Sequence, residues 1–267
     1  MPAEGLRLKC AFKTLEPDLV YTSVGKWLQT LEESSMIFVL TSNHFSDVRK
    51  VVFLCRKRRM AVAELHAIST GRQSMDDWVY ISLEIHNFVN YLHLREKKWT
   101  KFQKIQAVER LLQEGVPNQK IIVNNEPDIV EKFQLGGVHF PEKAGFEQYR
   151  QRKNWRLGVS VHDEEQAVKK ENLGADYLFF GHVFPTGSKP GIPPKGLSSL
   201  QTVIQSVSCP VIAIGGITPD RAAACLSKGA AGVAVLSGIY EAAEPSQSAR
   251  AYQAALRGSD PKGEENK

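Results

Sequence analysis

From Glu64 onward the chain settles into a rhythm in which short apolar or β-branched runs alternate with amphipathic stretches of helical period. The runs are Glu64–Ile68, Phe88–Leu94, Lys120–Asn124, Gly137–Phe140, Arg156–Val161, Tyr177–Phe184, Pro210–Gly215 and Gly232–Ser237. Continuous apolar runs suit parallel strands buried on both faces. Between them, Phe102–Glu114, Asp163–Leu173, Leu197–Ser206 and Asp220–Lys228 predict helices. Gly115, Gly174 and Gly229 each follow a helix, where a left-handed residue ends it most easily. Asp163 and Thr218–Pro219 stand where an N-cap and a first-turn proline belong. The pattern predicts an α/β fold, a compact (β/α)8 TIM barrel. An open doubly wound sheet is the other choice, but eight strands favour closure and no GxGxxG follows the first. The segment joining Phe140 to Arg156 is short, so its helix is expected to be reduced.

Residues 1–59 do not share this rhythm. Met36–Leu40 and Val51–Cys55 predict short strands, and Arg56–Arg59 is a basic cluster. We read residues 1–59 as an extension outside the barrel, 60–257 as the barrel domain and 258–267 as a polar tail expected to be disordered. No charged, apolar and small-residue segments follow one another as in a signal peptide.

Charge sharpens this division. Of the formal net charge of +5, residues 1–59 hold ten Lys/Arg against six Asp/Glu, leaving the barrel region close to neutral. A broad basic face for nucleic acid is therefore not expected. No apolar run reaches the roughly 18–20 residues of a membrane-spanning helix. The four cysteines, Cys10, Cys55, Cys209 and Cys225, form no CxxC or Cys/His cluster, which argues against a disulfide framework or structural zinc and fits a reducing cytoplasm.

Candidate chemistry collects at the predicted strand ends. Gly215-Gly216 and Leu236-Ser237-Gly238 close the last two strands, where barrels of this kind often hold a phosphate on backbone N–H groups. The loop from Gly181 to Gly191 carries Thr186, Ser188 and Lys189, two neutral donors and one cation for an anionic group. Arg95 and Lys97 follow the second strand and could face a carboxylate or phosphate. Histidines recur at His66, His93, His139, His162 and His182. For most of them a buried, hydrogen-bonded ring is the simpler reading. His162 differs because it ends its strand at the rim, and histidine titrates near neutrality, which suits proton transfer.

The motifs GVSVH, GADYLFFGHVFPTGSKPG, PVIAIGGITPDR and GAAGVAVLSGI, with HLREK, IIVNN and GVHF before them, resemble the thiamine phosphate synthase superfamily over roughly residues 61–255. Two branches are implied. The synthases join a pyrimidine pyrophosphate to a thiazole phosphate with Mg²⁺; the TenI-type tautomerases aromatise a thiazole carboxylate phosphate by moving a proton, without metal. The synthase aspartates correspond to Asn125 and Ala144 here, and His93 and His182 follow the tautomerase pattern. The resemblance therefore implies a thiazole tautomerase, an isomerase with no metal or other cofactor, acting on a small phosphorylated thiazole. His162 would relay the proton. Gly216, Leu236 and Ser237, helped by Thr186 and Ser188, would hold the phosphate, and Arg95 and Lys189 would orient the carboxylate. Lys97, Asn124 and Ser160 complete the expected binding set. A synthase with altered metal ligands and a non-catalytic regulatory protein stay open as alternatives, as does a homo-oligomer.

Overall fold

The computed structural model describes residues 8–9, 38–40, 51–53, 63–151 and 154–258. The chain divides into two compact units, Met1–Ala61 and Val62–Lys267. In the first, β1 (Leu8–Lys9), β2 (Phe38–Leu40) and β3 (Val51–Phe53) form an antiparallel sheet in the order β1-β2-β3. The basic cluster at 56–59 and the polar tail after Gly258 lie outside the described residues.

The second unit is a closed parallel barrel. Its strands are β4 (Glu64–Ile68), β5 (Tyr91–Leu94), β6 (Ile121–Asn124), β7 (Gly137–Phe140), β8 (Arg156–Val161), β9 (Tyr177–Gly181), β10 (Val211–Ile214) and β11 (Gly232–Val235). They close in sequence order, with β11 returning to β4. The helices include Met75–Ile85, Lys101–Gln113, Pro127–Phe133, Glu164–Asn172, Gly196–Ser206, Pro219–Ser227 and Pro245–Arg257. Gly115, Gly174 and Gly229 take the positive φ their positions called for, and Asp163 caps its helix by accepting from the Gln166 amide. Among its described residues, the Phe140–Arg156 connection carries a single 3₁₀ turn, at Glu147–Tyr149. Among the described residues no helix is long and apolar enough to cross a membrane.

Strand alternation separates two cores. Outward residues such as Leu92, Val123, Val159, Phe180 and Val233 pack under the helices against Trp78, Ala107, Leu200 and Ala222. Inward ones, Ile68, Ile122, Tyr177, Phe179, Ile212 and Ala234, fill the barrel. Tyr177 fits only because β8 offers Gly158: an added Cβ there would sit 2.0 Å from Tyr177 Cζ. Gly158→Ala should therefore cost about 1–3 kcal/mol by overpacking, seen in urea unfolding. Combined with Tyr177→Leu, the loss should be smaller than the sum of the two single variants.

At the N-terminal end of the barrel, Arg156 pairs with Glu64 at 3.0 and 3.3 Å and is flanked by the Tyr91 and Tyr177 rings at 4.9 and 4.8 Å. Burial alone would raise the Glu64 carboxyl, but hydrogen bonds and attraction from His66 and Arg156 hold it below the ordinary carboxylate range.

Candidate active site

The strand C-termini surround a cavity of about 600 Å³. Sequence spacing scattered its residues over half the chain; closure of the barrel brings all of the expected binding positions onto its wall. Arg95, Lys97 and Lys189 contribute cations, Asn124 and Ser160 lie along the strands, and Thr186, Ser188, Gly216, Leu236 and Ser237 come from the three loops that follow β9, β10 and β11. His162 is there too. Its Nδ1 donates to the Gly181 carbonyl at 2.7 Å, so a neutral ring offers its bare Nε2 as a hydrogen-bond acceptor.

The loop geometry explains the glycine pair differently from the sequence reading. Gly215 and Gly216 have φ of 97° and 65°. A Cβ on Gly216 would lie 2.3 Å from the Pro185 carbonyl oxygen, and one on Gly215 2.2 Å from His182 Cβ. Their lack of side chains lets the β10 and β9 loops pack together, with Thr186 and Ser188 following the Phe184–Pro185 backbone that lies against Gly216. Room for an anion comes second. Arg221 donates to the Gly216 carbonyl at 2.8 Å, which also secures the turn.

The other histidines divide by depth. His182 is buried and its Nε2 donates to the Ile192 carbonyl at 3.1 Å, bracing the long loop. His66, His93 and His139 lie inside the barrel, each at most 2% exposed. His139 reaches the cavity floor, bonded through Nε2 to Ser160 Oγ at 2.9 Å and through Nδ1 to Tyr177 OH at 3.2 Å. Burial, with repulsion from His66 and Arg95, pushes its pKa down to about 3, so the ring is neutral.

Sequence reasoning missed Lys104, Glu96, Glu126 and Glu142, which also line the cavity. Lys104 pairs with Glu126 at 2.7 Å. The available signal was helical phase: Lys104 lies in the first turn of Lys101–Gln113, whose N-terminus faces the rim. Glu96 is buried and accepts from the Gly71 amide at 3.0 Å, while Ser69 Oγ accepts from the Arg95 amide at 2.8 Å. These two bonds hold the Arg95 loop.

The synthase branch implies Mg²⁺, so the donor set matters. A hard cation asks for several converging oxygen ligands, carboxylates foremost. Asn125, at φ 58°, carries an amide, and Ala144 carries no donor. Glu126 is engaged by Lys104 and Glu96 by the Gly71 amide. Among the described residues no group of three or more His, Cys, Asp or Glu side chains could hold a metal ion. The residues present do not fit a cation held by the protein alone.

A closed barrel thus gathers cations, hydroxyls and glycine turns around a cavity at its C-terminal rim, a wall chemically suited to a small anionic ligand. Residues 65–239 match the family described as thiamine monophosphate synthase, and the chain belongs to that family. It is 33% identical over 230 residues to a thiamine-phosphate synthase of Roseiflexus castenholzii, covering 83% of this chain and 95% of the relative. It is 38% identical over 141 residues to one of Chlorobium luteolum, covering 51% of this chain and 66% of that relative, a little under two thirds of its length. A solved thiamine phosphate pyrophosphorylase from Pyrococcus furiosus superposes with a TM-score of 0.63 at 25% identity, over 75% of this chain and 98% of that one.

These relatives correct the tautomerase expectation. They are named as synthases, which are transferases and not isomerases. The tautomerase reading rests on four positions, Asn125, Ala144, His93 and His182. Those positions make at most a small part of the wall, and the cavity keeps the cations Arg95, Lys97, Lys104 and Lys189.

Proposed function

We propose that this chain is a thiamine-phosphate synthase, a transferase that couples hydroxymethylpyrimidine pyrophosphate to a thiazole phosphate. A carbon–nitrogen bond to the thiazole forms as the carbon–oxygen bond to pyrophosphate breaks. The observation that carries this reading is the similarity to the Roseiflexus synthase over 95% of that protein's length. The composition of the wall supports it, because Arg95, Lys97 and Lys189 supply cations while Thr186, Ser188, Gly216 and Ser237 supply neutral donors to the same cavity, enough for two phosphorylated substrates.

In this reading Gly216, Leu236 and Ser237, with Thr186 and Ser188, hold the thiazole phosphate through neutral donors. Arg95, Lys97 and Lys189 meet the pyrophosphate and counter its charge as it leaves. Ser160, backed by His139, and Asn124 contact the pyrimidine ring. His162 accepts a hydrogen bond at Nε2 and orients a substrate. The working domain is residues 60–257.

Pyrophosphate release by the purified full-length chain tests this. It is expected only when both substrates are present, and Arg95→Ala should slow it by about 10²-fold. Release from the pyrimidine pyrophosphate alone, at an unchanged rate, would contradict coupling.

A further inference from the structure

A column of hydrogen-bonded side chains runs through the barrel from its N-terminal end to the cavity. His66 Nε2 lies 3.0 Å from Glu64 Oε2, and His66 Nδ1 lies 2.9 Å from His93 Nε2. Both rings are fully buried. Next comes Asn124, which lines the cavity at the end of β6. The His93 and Asn124 side chains interact, yet His93 Nδ1 and Asn124 Oδ1 are both buried without a hydrogen-bond partner of acceptable geometry. Buried polar atoms without partners are rare, and two on interacting side chains ask for one explanation.

Proton placement supplies it. A carboxylate only accepts, so His66 must carry a proton on Nε2. Arg156 keeps Glu64 ionised from the far side. In a neutral ring His66 Nδ1 is then bare and accepts from His93 Nε2–H. That leaves His93 Nδ1 bare as well, an acceptor aimed at Asn124. With the amide oxygen toward it, two acceptors meet. With the amide nitrogen toward it, both atoms are satisfied by a half-turn of the amide, and the two orientations have the same shape. Burial keeps both rings neutral: it lowers His66 despite the opposing pull of Glu64, and lowers His93 further with repulsion from His66 and His139.

We propose that Glu64, acting through His66 and His93, turns the Asn124 amide so that its NH₂ faces the barrel interior and its oxygen faces the cavity. Glu64, His66 and His93 are then positioning residues, and their product is a fixed hydrogen-bond acceptor in the cavity wall. That acceptor selects a ligand group carrying N–H or O–H, such as a heteroaromatic amine, and disfavours a phosphate oxygen at the same point. The assignment holds whichever phosphorylated ligand the pocket takes, and does not depend on the reaction.

The test is histidine tautomer assignment by long-range ¹H–¹⁵N correlation on the ¹⁵N-labelled full-length protein at neutral pH. His66 and His93 are both expected to carry one proton, on Nε2, with an Asn124 NH₂ proton protected from exchange. Glu64→Gln should invert the column. The Gln oxygen stays on Arg156, its NH₂ donates to His66 Nε2, both rings move their proton to Nδ1, and the Asn124 NH₂ turns to the cavity and loses protection. A wild-type His93 protonated on Nδ1, a doubly protonated His66, or a His93 tautomer unchanged by Glu64→Gln would overturn the proposal. If Glu64→Gln does not fold, the wild-type spectrum alone decides.

Discussion

Replacing Gly216 with alanine is expected to lower kcat/KM by about 10²-fold or more while leaving the barrel folded. Gly216 has φ 65°, where an L-residue is disfavoured by roughly 1–2 kcal/mol. The new Cβ would also meet the Pro185 and Phe184 carbonyl oxygens at 2.3 and 2.8 Å. These are backbone atoms and cannot rotate away, so the β9 loop must move and take Thr186 and Ser188 with it. A shift of about 1 Å in a positioned group is enough for a loss of that order. Steady-state kinetics with a parallel thermal melt separates the outcomes. Near-wild-type kcat/KM in a folded Gly216→Ala would show that the two loops do not form one phosphate site.

The second large effect is on stability at mild acidity. Burial, reinforced by neighbouring positive charge, holds His66, His93 and His139 below their ordinary value of 6.5, His139 to about 3. Below about pH 6.5 the unfolded chain takes up protons on these rings and the folded barrel does not. Their contribution to stability is therefore complete above about pH 6.5 and falls as pH drops toward 3. One such ring changes stability by about 1.4 kcal/mol per pH unit, so His139 alone should remove about 2 kcal/mol by pH 5. Glu64 adds to this only lower down, because its depressed carboxyl is lost as pH falls below the ordinary carboxylate range. Urea unfolding from pH 7.5 to pH 5 reads the slope, and His139→Gln should flatten it by about one ring's share. Stability independent of pH over this range would mean that the interior histidines take up protons in the folded barrel as readily as in the unfolded chain.

The elements were legible in the sequence because a parallel strand buried on both faces and an amphipathic helix leave opposite periodicities. The eight apolar runs became β4 to β11, shortened mainly where a run continued into a loop, as at Tyr177–Phe184, which ends as a strand at Gly181. The rim positions were legible for a related reason: a residue just past a strand's C-terminus must face the same cavity as its counterparts on the other strands. The interior was not. Whether His66, His93 and His139 point inward is set by strand parity, and Glu64 meets Arg156 across the barrel from a strand that is not its neighbour. Lys104 lies in the first turn of a helix, whose N-terminus faces the rim, so its place was legible only through helical phase. The reaction is not legible in the same way, because four positions, Asn125, Ala144, His93 and His182, point to a tautomerase while most of the cavity wall is made by other residues.

The most direct test of the central claim is the identity of the product. Purified full-length protein would be incubated with hydroxymethylpyrimidine pyrophosphate and thiazole phosphate, and the mixture resolved by mass spectrometry. We predict thiamine phosphate and pyrophosphate in equal amounts, with no product when either substrate is left out. Both substrates bound and recovered unchanged would contradict it.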